Sequence, residues 1–359
     1  MKLVVFGLSI TSAWGNGHAT LWRALCRALG AAGHRVLFCE RDTPWYAGAR
    51  DDLDIPGLET LVYPDWDSVR PRATAALRDA DAAIVTSFCA DGPAASALVQ
   101  EAARPVRVFY DLDTPVTLAR LARGERPDYL PLDGLAGFDL VLSYTGGAAP
   151  ERLREALGAR HVVPLYGSVD PDAHHPAPPL PHYAADLSHL GTYAADRHAA
   201  LDRLFIDPAR RRPASRFVLA GAQYPLDFPW TPNIHFVRHL PPGEHPAFFS
   251  SSRWTLNVTR QDMAALGWCP SGRLFEAASC GTPVISDAWD GLADFYTPGE
   301  EILLARDTDD VLDALDMDRA QRDRIAARAR ERTLDEHTAT RRAAQLLNAL
   351  ASVRASAAA

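Results

Sequence analysis

The sequence predicts an α/β chain built as two Rossmann-like, doubly wound domains facing across a cleft. Three observations carry that prediction. The chain has 359 residues, roughly twice the size of one ordinary domain. Short β-rich runs alternate with helical patterns over most of its length, which is the signature of βαβ units and parallel sheets covered on both faces. The alternation breaks once, at a proline-rich stretch, and then resumes.

In the first domain, residues 1–169, strands are expected at Lys2–Phe6, Arg35–Glu40, Leu58–Tyr63, Ala82–Ser87, Arg107–Asp111, Leu140–Tyr144 and His161–Leu165. Helical patterns cover Ala19–Ala32, stopped by Gly33, then Arg70–Arg78 and Ala149–Leu157. The run 170–186, centred on Asp170–Pro181, has no apolar period and reads as a semi-rigid linker. Within it His174 and His175 look like a metal pair, but adjacent residues do not share one helical face, so solvated linker histidines are expected. The second domain, 187–335, resumes with strands Leu187–Leu190, Arg216–Ala220, Trp254–Val258 and Pro283–Ser286 and helices Asp196–Leu204 and Ser271–Ser279. The tail Arg319–Leu350 is Ala- and Arg-rich with helical spacing. Residues 336–359 are expected as a helix packing back on the first domain, with Ala355–Ala359 frayed.

Composition narrows the function classes. The chain is 47% hydrophobic and 23% charged, ordinary for a globular enzyme, and its net charge of -8 argues against a nucleic-acid partner. The apolar start Met1–Gly7 is too short for a signal peptide, no window spans a membrane, and the five cysteines lack metal-ligand spacing, so a cytoplasmic protein is expected. Cys26 and Cys39 read as small core residues. Trp14, Trp45 and Tyr46 are candidate surface aromatics.

Three constellations bear on chemistry. Gly7–His18 follows the first strand, and Gly15 and Gly17 let backbone approach a ligand at a helix N-terminus, where free N–H groups favour an anion. The dinucleotide and P-loop spacings are both missing, which weakens nicotinamide and ATP readings. His18 stands at the mouth of that helix as a candidate acid–base group; a lone histidine is more often structural, and position alone gives this one weight. Asp111 and Asp113 close a buried strand and share one side of an extended chain. Two close carboxylates suit either a metal or acid–base work, with Asp111 facing the cleft, and the two-domain pattern weighs against the metal-binding Asp-x-Asp reading. Asp113 or Thr114 also suits capping of the helix that starts at Pro115. The third constellation is the most specific. Arg260 ends a strand, Ser271 is placed to cap the helix beginning at Gly272, and Arg273 adds charge for a diphosphate. Glu276, one turn in, suits the two hydroxyls of a ribose; the plain alternative is an acid in a first helical turn.

The run Leu274–Asp287 resembles the donor-site signature of the GT-B glycosyltransferases, and Ser251–Pro298 with Gly191-Thr192-Tyr193 and Tyr110–Pro115 resembles their CgeB-like branch. The resemblance implies a GT-B fold whose second domain binds a nucleotide sugar, UDP-linked by expectation, and whose first receives an unknown acceptor, with no metal or other cofactor. It implies that Glu276 holds the ribose, that Gly272 and Arg273 face the phosphates, that Gly191, Thr192 and Tyr193 lie over the donor, and that His18 takes the place of a base. One position departs from the pattern: retaining members of the large family 4 carry a second glutamate eight positions earlier, where this chain has Trp268. A glycosyltransferase is the leading reading. A GT-B nucleotide-sugar 2-epimerase or a non-catalytic sugar-nucleotide-binding scaffold are the alternatives.

Overall fold

The computed structural model describes residues 1–358, which form two units: Met1–Gly167 with the C-terminal helix from Ala339, and Ser168–Thr338. The first unit holds a parallel sheet of seven strands, β1 (Lys2–Gly7), β2 (Arg35–Arg41), β3 (Leu58–Tyr63), β4 (Ala82–Thr86), β5 (Val106–Asp111), β6 (Leu140–Ser143) and β7 (Val162–Pro164). Their order across the sheet is β3-β2-β1-β4-β5-β6-β7. The direction of winding therefore reverses between β1 and β4, the place where such sheets receive ligands beyond their strand ends.

Strand alternation builds two apolar layers. Val4 and Phe6 of β1 point into one, with Val85, Phe109 and Val141, and Leu3 and Val5 into the other, with Ile84, Val108 and Tyr110. The second layer is closed by Trp22, Leu25 and Leu29 of the helix Gly17–Ala31 and by Ala343, Leu346 and Leu350 of the helix Ala339–Ala358. The chain's last helix thus completes the core of the first unit. It stays regular through Ala358, where fraying from Ala355 was expected; Ala359 lies outside the described residues.

The second unit holds six parallel strands, β8 (Ala185–Leu190), β9 (Phe217–Ala220), β10 (Ile234–Val237), β11 (Ser252–Asn257), β12 (Val284–Ser286) and β13 (Leu303–Leu304), in the order β10-β9-β8-β11-β12-β13. Here the reversal falls between β8 and β11. The helix expected at Asp196–Leu204 extends as one helical run from Ala195 to Arg211, with a π turn at Asp202–Ile206. Pro208 explains the turn: it has no N–H for the usual i−4 bond, and the preceding Asp207 N–H reaches Asp202 O instead.

The proline-rich stretch is strapped to this unit by hydrogen bonds although much of it remains exposed. Ala177 and Leu180 donate backbone N–H groups to Ser250 and Ser251, and Ser279 Oγ donates to the His174 carbonyl. His175 is exposed, but His174 is buried, which corrects the expectation of a solvated histidine pair. The expected helical tail is two helices, Arg319–Glu336 and Ala339–Ala358, interrupted where His337 turns inward against Phe275, Phe295 and Tyr296.

Candidate functional site

In the first unit the loop between β1 and the helix Gly17–Ala31 is shaped from beneath by Glu40, a buried carboxylate near the end of β2. Glu40 accepts from the backbone N–H groups of Ile10 (2.5 Å) and Thr11 (3.1 Å) and from the Thr11 hydroxyl. Asn16 caps the helix, its Oδ1 accepting from His18 N at 3.0 Å while its Nδ2 donates to Ser9 O and Ser12 O. Gly15 has φ +61°, which explains its residue type. Gly17 has neither a positive φ nor an atom within 4 Å of where its Cβ would be, so fold geometry does not require glycine there.

This loop delivers His18 to Asp113. His18 Nε2 lies 2.9 Å from Asp113 Oδ2, with both side chains mostly shielded from solvent. The same carboxylate oxygen accepts from Ser87 Oγ at 2.8 Å, and Ser87 Oγ accepts in turn from Leu112 N. Asp113 occupies the N-cap position of Thr114–Ala122 but makes no side-chain capping bond, because its carboxylate is turned to His18 and Ser87. His18 Nδ1 is sheltered from solvent and accepts no hydrogen bond from the protein. Phe88 rests edge-on against the His18 ring at a φ of +56°, a strained geometry for a bulky residue and a frequent mark of functional sites.

Asp111 does not face a ligand as expected. It is fully buried below the dyad, where Oδ1 accepts from Asp113 N (3.1 Å) and Thr117 Oγ1 (3.0 Å). Burial first, and the Asp113 charge second, push its pKa from 3.8 up to about 7. A carboxyl group whose pKa is raised on folding loses stability for the native state as pH climbs from its unfolded pKa to its folded one. We therefore expect Asp111→Asn to flatten the decline in unfolding free energy between about pH 4 and pH 7 relative to wild type, measured by urea titration. An unchanged slope would remove Asp111 from that decline.

In the second unit, Gly191-Thr192-Tyr193 leaves the end of β8 and is pressed against β9. A Cβ on Gly221 would lie 2.0 Å from Gly191 O, and one on Gly191 would crowd His189 Nε2 (3.0 Å) and Arg197 Nη1 (3.2 Å). Arg197 Nη1 donates to Thr192 O at 3.3 Å. Its pKa is driven down to about 10 by burial and by the nearby charges of Arg273 and Arg260. Burial and the charges of Arg273 and Arg197 also keep His189 neutral, its pKa falling to about 3, and its Nε2 has no hydrogen-bond partner. Three arginines thus converge on the loop after β8, and one nearby carboxylate, Asp196, pairs with Arg260 at 3.2 Å and partly offsets Arg197. Such unbalanced positive charge is expensive unless an anion answers it.

The helix Gly272–Ser279 opens beside that cluster. Ser271 holds the N-cap position with extended backbone but makes no capping bond; its Oγ accepts from Arg273 Nη1 at 3.3 Å, which corrects the expected cap. The free N–H groups of the first turn are therefore not consumed by the side chain. Glu276 is buried, and its Oε1 lies 3.8 Å from where a Gly272 Cβ would sit, in ordinary contact with the helix start. Trp268 stands at φ +44° and donates its indole N–H to Asp294 Oδ2 at 2.6 Å. Gly291 makes room for its ring, since a Cβ there would come within 2.4 Å.

The sequence-predicted residues thus assemble into two groups, His18 with Asp113, and Gly191, Thr192, Arg260, Ser271, Gly272, Arg273 and Glu276. Tyr193 packs tilted against Tyr224 and edge-on against Phe228 and His198. Sequence reasoning missed Glu40, Ser87, His189, Arg197 and His245. A lone acid in the apolar run Val36–Glu40 was the signal for Glu40; nothing local marks Ser87 or Arg197, whose roles come from neighbours distant in sequence.

Residues 197–348 match the family model described as glycosyl transferase-like. No curated protein matches the chain in sequence. Among solved structures, it is similar to sucrose-phosphate synthase from Thermosynechococcus elongatus at 14% identity, with 99% of this chain and 100% of that one covered and a TM-score of 0.72. Anabaena HepE, solved in complex with UDP and glucose, matches at 13% identity over 98% and 100% of the two chains, with a TM-score of 0.68. An α-glucosyltransferase in complex with UDP and a 13-mer DNA matches at 13% identity over 98% and 99%, with a TM-score of 0.65. At these identities the likeness speaks for the fold: the chain has two parallel-sheet Rossmann-like domains of the GT-B kind.

Proposed function

We propose that the protein is a glycosyltransferase that takes a sugar from a nucleoside-diphosphate donor, uridine-linked, and passes it to an acceptor hydroxyl. The observation that carries this is the second unit's cation cluster, Arg197, Arg260 and Arg273, beside a helix N-terminus with Glu276 one turn inside. The arginines and the first-turn N–H groups suit a diphosphate, and a buried carboxylate one turn further suits ribose hydroxyls. The leaving diphosphate carries its new charge into that cluster, where preorganised donors each supply roughly 3 kcal/mol of transition-state stabilisation. With fixed cations in that role, the transfer calls for no metal. UDP complexes among the proteins of similar fold favour uridine, and the resemblance of Ser251–Pro298 to CgeB-like sequences supports a position in that branch.

On the first unit we assign His18 as the proton acceptor for the attacking hydroxyl. With the Nε2 proton held by Asp113, the lone pair is on Nδ1, the atom without a protein partner. The net charge of -8 favours a small-molecule, glycan or protein acceptor over nucleic acid. Among the described residues no helix is long and apolar enough to cross a membrane; the five free cysteines are compatible with the reducing cytoplasm we propose.

A thermal-shift screen over nucleoside-diphosphate sugars tests the reading. A UDP-sugar at ~100 times its Kd raises unfolding free energy by about 2.7 kcal/mol, so a rise of several degrees in Tm is expected. No shift with any nucleoside diphosphate or its sugar conjugate would overturn it.

A further inference from the structure

We propose that the second unit holds a transition-metal site formed by His174 Nε2, His245 Nδ1 and a Glu276 carboxylate oxygen, and that a divalent ion of the zinc type bound there competes with the donor. The competition rests on the assignment of Glu276 to the donor ribose; the metal site does not.

The three side chains come from separate places. His174 is carried by the proline-rich strap, His245 opens the helix His245–Ser250, and Glu276 belongs to the helix Gly272–Ser279. One nitrogen from each imidazole and one Glu276 oxygen all lie within 4.8 Å of one another. The two nitrogens are 3.4 Å apart. Two nitrogens bound to one tetrahedral zinc at about 2.0–2.1 Å are separated by about 3.3–3.4 Å, so this pair already has the required spacing. Two imidazoles and one carboxylate form a set that zinc and its neighbours in the first row accept, leaving an open position for water.

The surroundings prepare the set. The His174 carbonyl is held by Ser279 Oγ, which fixes the strap over the helix. The His245 ring hydrogen-bonds the Leu240 backbone, and outer-shell bonds of this kind orient a metal-binding imidazole. A bound ion takes a Glu276 oxygen, and the same oxygen then no longer accepts from a ribose.

The test uses the full chain freed of metal with a chelator. Cobalt(II) is titrated as a spectroscopic probe and zinc by calorimetry, in wild type, His174→Ala and His245→Ala. One cobalt per chain with the strong visible bands of low-coordinate geometry is expected, and zinc binding should weaken about 100-fold in either variant. UDP affinity is then compared with and without zinc. UDP itself binds zinc, equally in every sample, so the difference between wild type and His174→Ala isolates the site: wild type should lose about tenfold more UDP affinity. If neither ion binds stoichiometrically, or both variants bind zinc like wild type, the metal site is overturned, and the two histidines share only a hydrogen bond. If zinc binds as expected but wild type and His174→Ala respond alike toward UDP, the competition is overturned. A failure of UDP to bind metal-free wild type would instead count against the donor assignment, while the cobalt spectrum still reads the metal site.

Discussion

Replacing Glu276 with alanine is expected to weaken UDP or UDP-sugar binding by at least tenfold to a hundredfold while leaving the fold intact. A hydrogen bond to a charged acceptor contributes about 1.5–3 kcal/mol, and a ribose diol offers two such donors to one carboxylate. The structural cost of the change is small. Glu276 is buried, with no hydrogen bond or ion pair from the protein among the described residues, so its removal leaves no internal donor unsatisfied. Alanine is also the best helix former, and Ala277 and Ala278 already follow. Tm should therefore hold steady or rise. Glu276→Gln keeps one acceptor oxygen and loses the charge, and should fall between wild type and alanine. Calorimetry in chelator-treated buffer measures all three. Wild-type affinity in Glu276→Ala would remove the ribose assignment, and with it the strongest link between this helix and a nucleotide.

Much of this arrangement was legible in the sequence because it is local. The helix Gly272–Ser279 and its glutamate lie in one continuous run, and strand–helix alternation alone called for two parallel sheets. What escaped was long-range or edge-bound. β10 is an Ile-His-Phe-Val segment at a sheet edge with His235 and Phe236 exposed, so it lacks the apolar density of a central strand. β13 is only two residues long. Composition made residues Asp170–Pro181 read as a semi-rigid linker with solvated histidines, yet tertiary hydrogen bonds from Ser279 and to Ser250 and Ser251 decide where that segment lies and bury His174. Asp111 illustrates the limit of strand alternation. Two residues on, the chain leaves extended geometry, Asp113 N turns back to Asp111 Oδ1, and the two carboxylates end in different environments. One is buried beneath the loop; the other meets His18.

His18→Ala should lower kcat by about 10²–10⁴-fold, the usual contribution of a positioned general base, with donor affinity changed by less than a factor of three. The separation follows from chain topology, since His18 belongs to the first unit and the cation cluster to the second. Asp113→Asn probes the geometry behind the base. His18 Nε2 and Ser87 Oγ both meet Asp113 Oδ2. An amide N–H₂ there deprives both of their acceptor and disturbs the tautomer that places the lone pair on Nδ1, whereas an amide oxygen there still accepts from both but no longer stabilises the imidazolium with a negative charge. A loss of kcat comparable to that of His18→Ala is therefore expected, with little further loss when both are changed, because residues acting as one unit are not additive. Single-turnover measurements with saturating donor provide the comparison. A loss under tenfold in His18→Ala would take the imidazole out of proton transfer and leave the departing phosphate as the proton acceptor. An additive double variant would show instead that His18 and Asp113 act separately, although 2.9 Å apart.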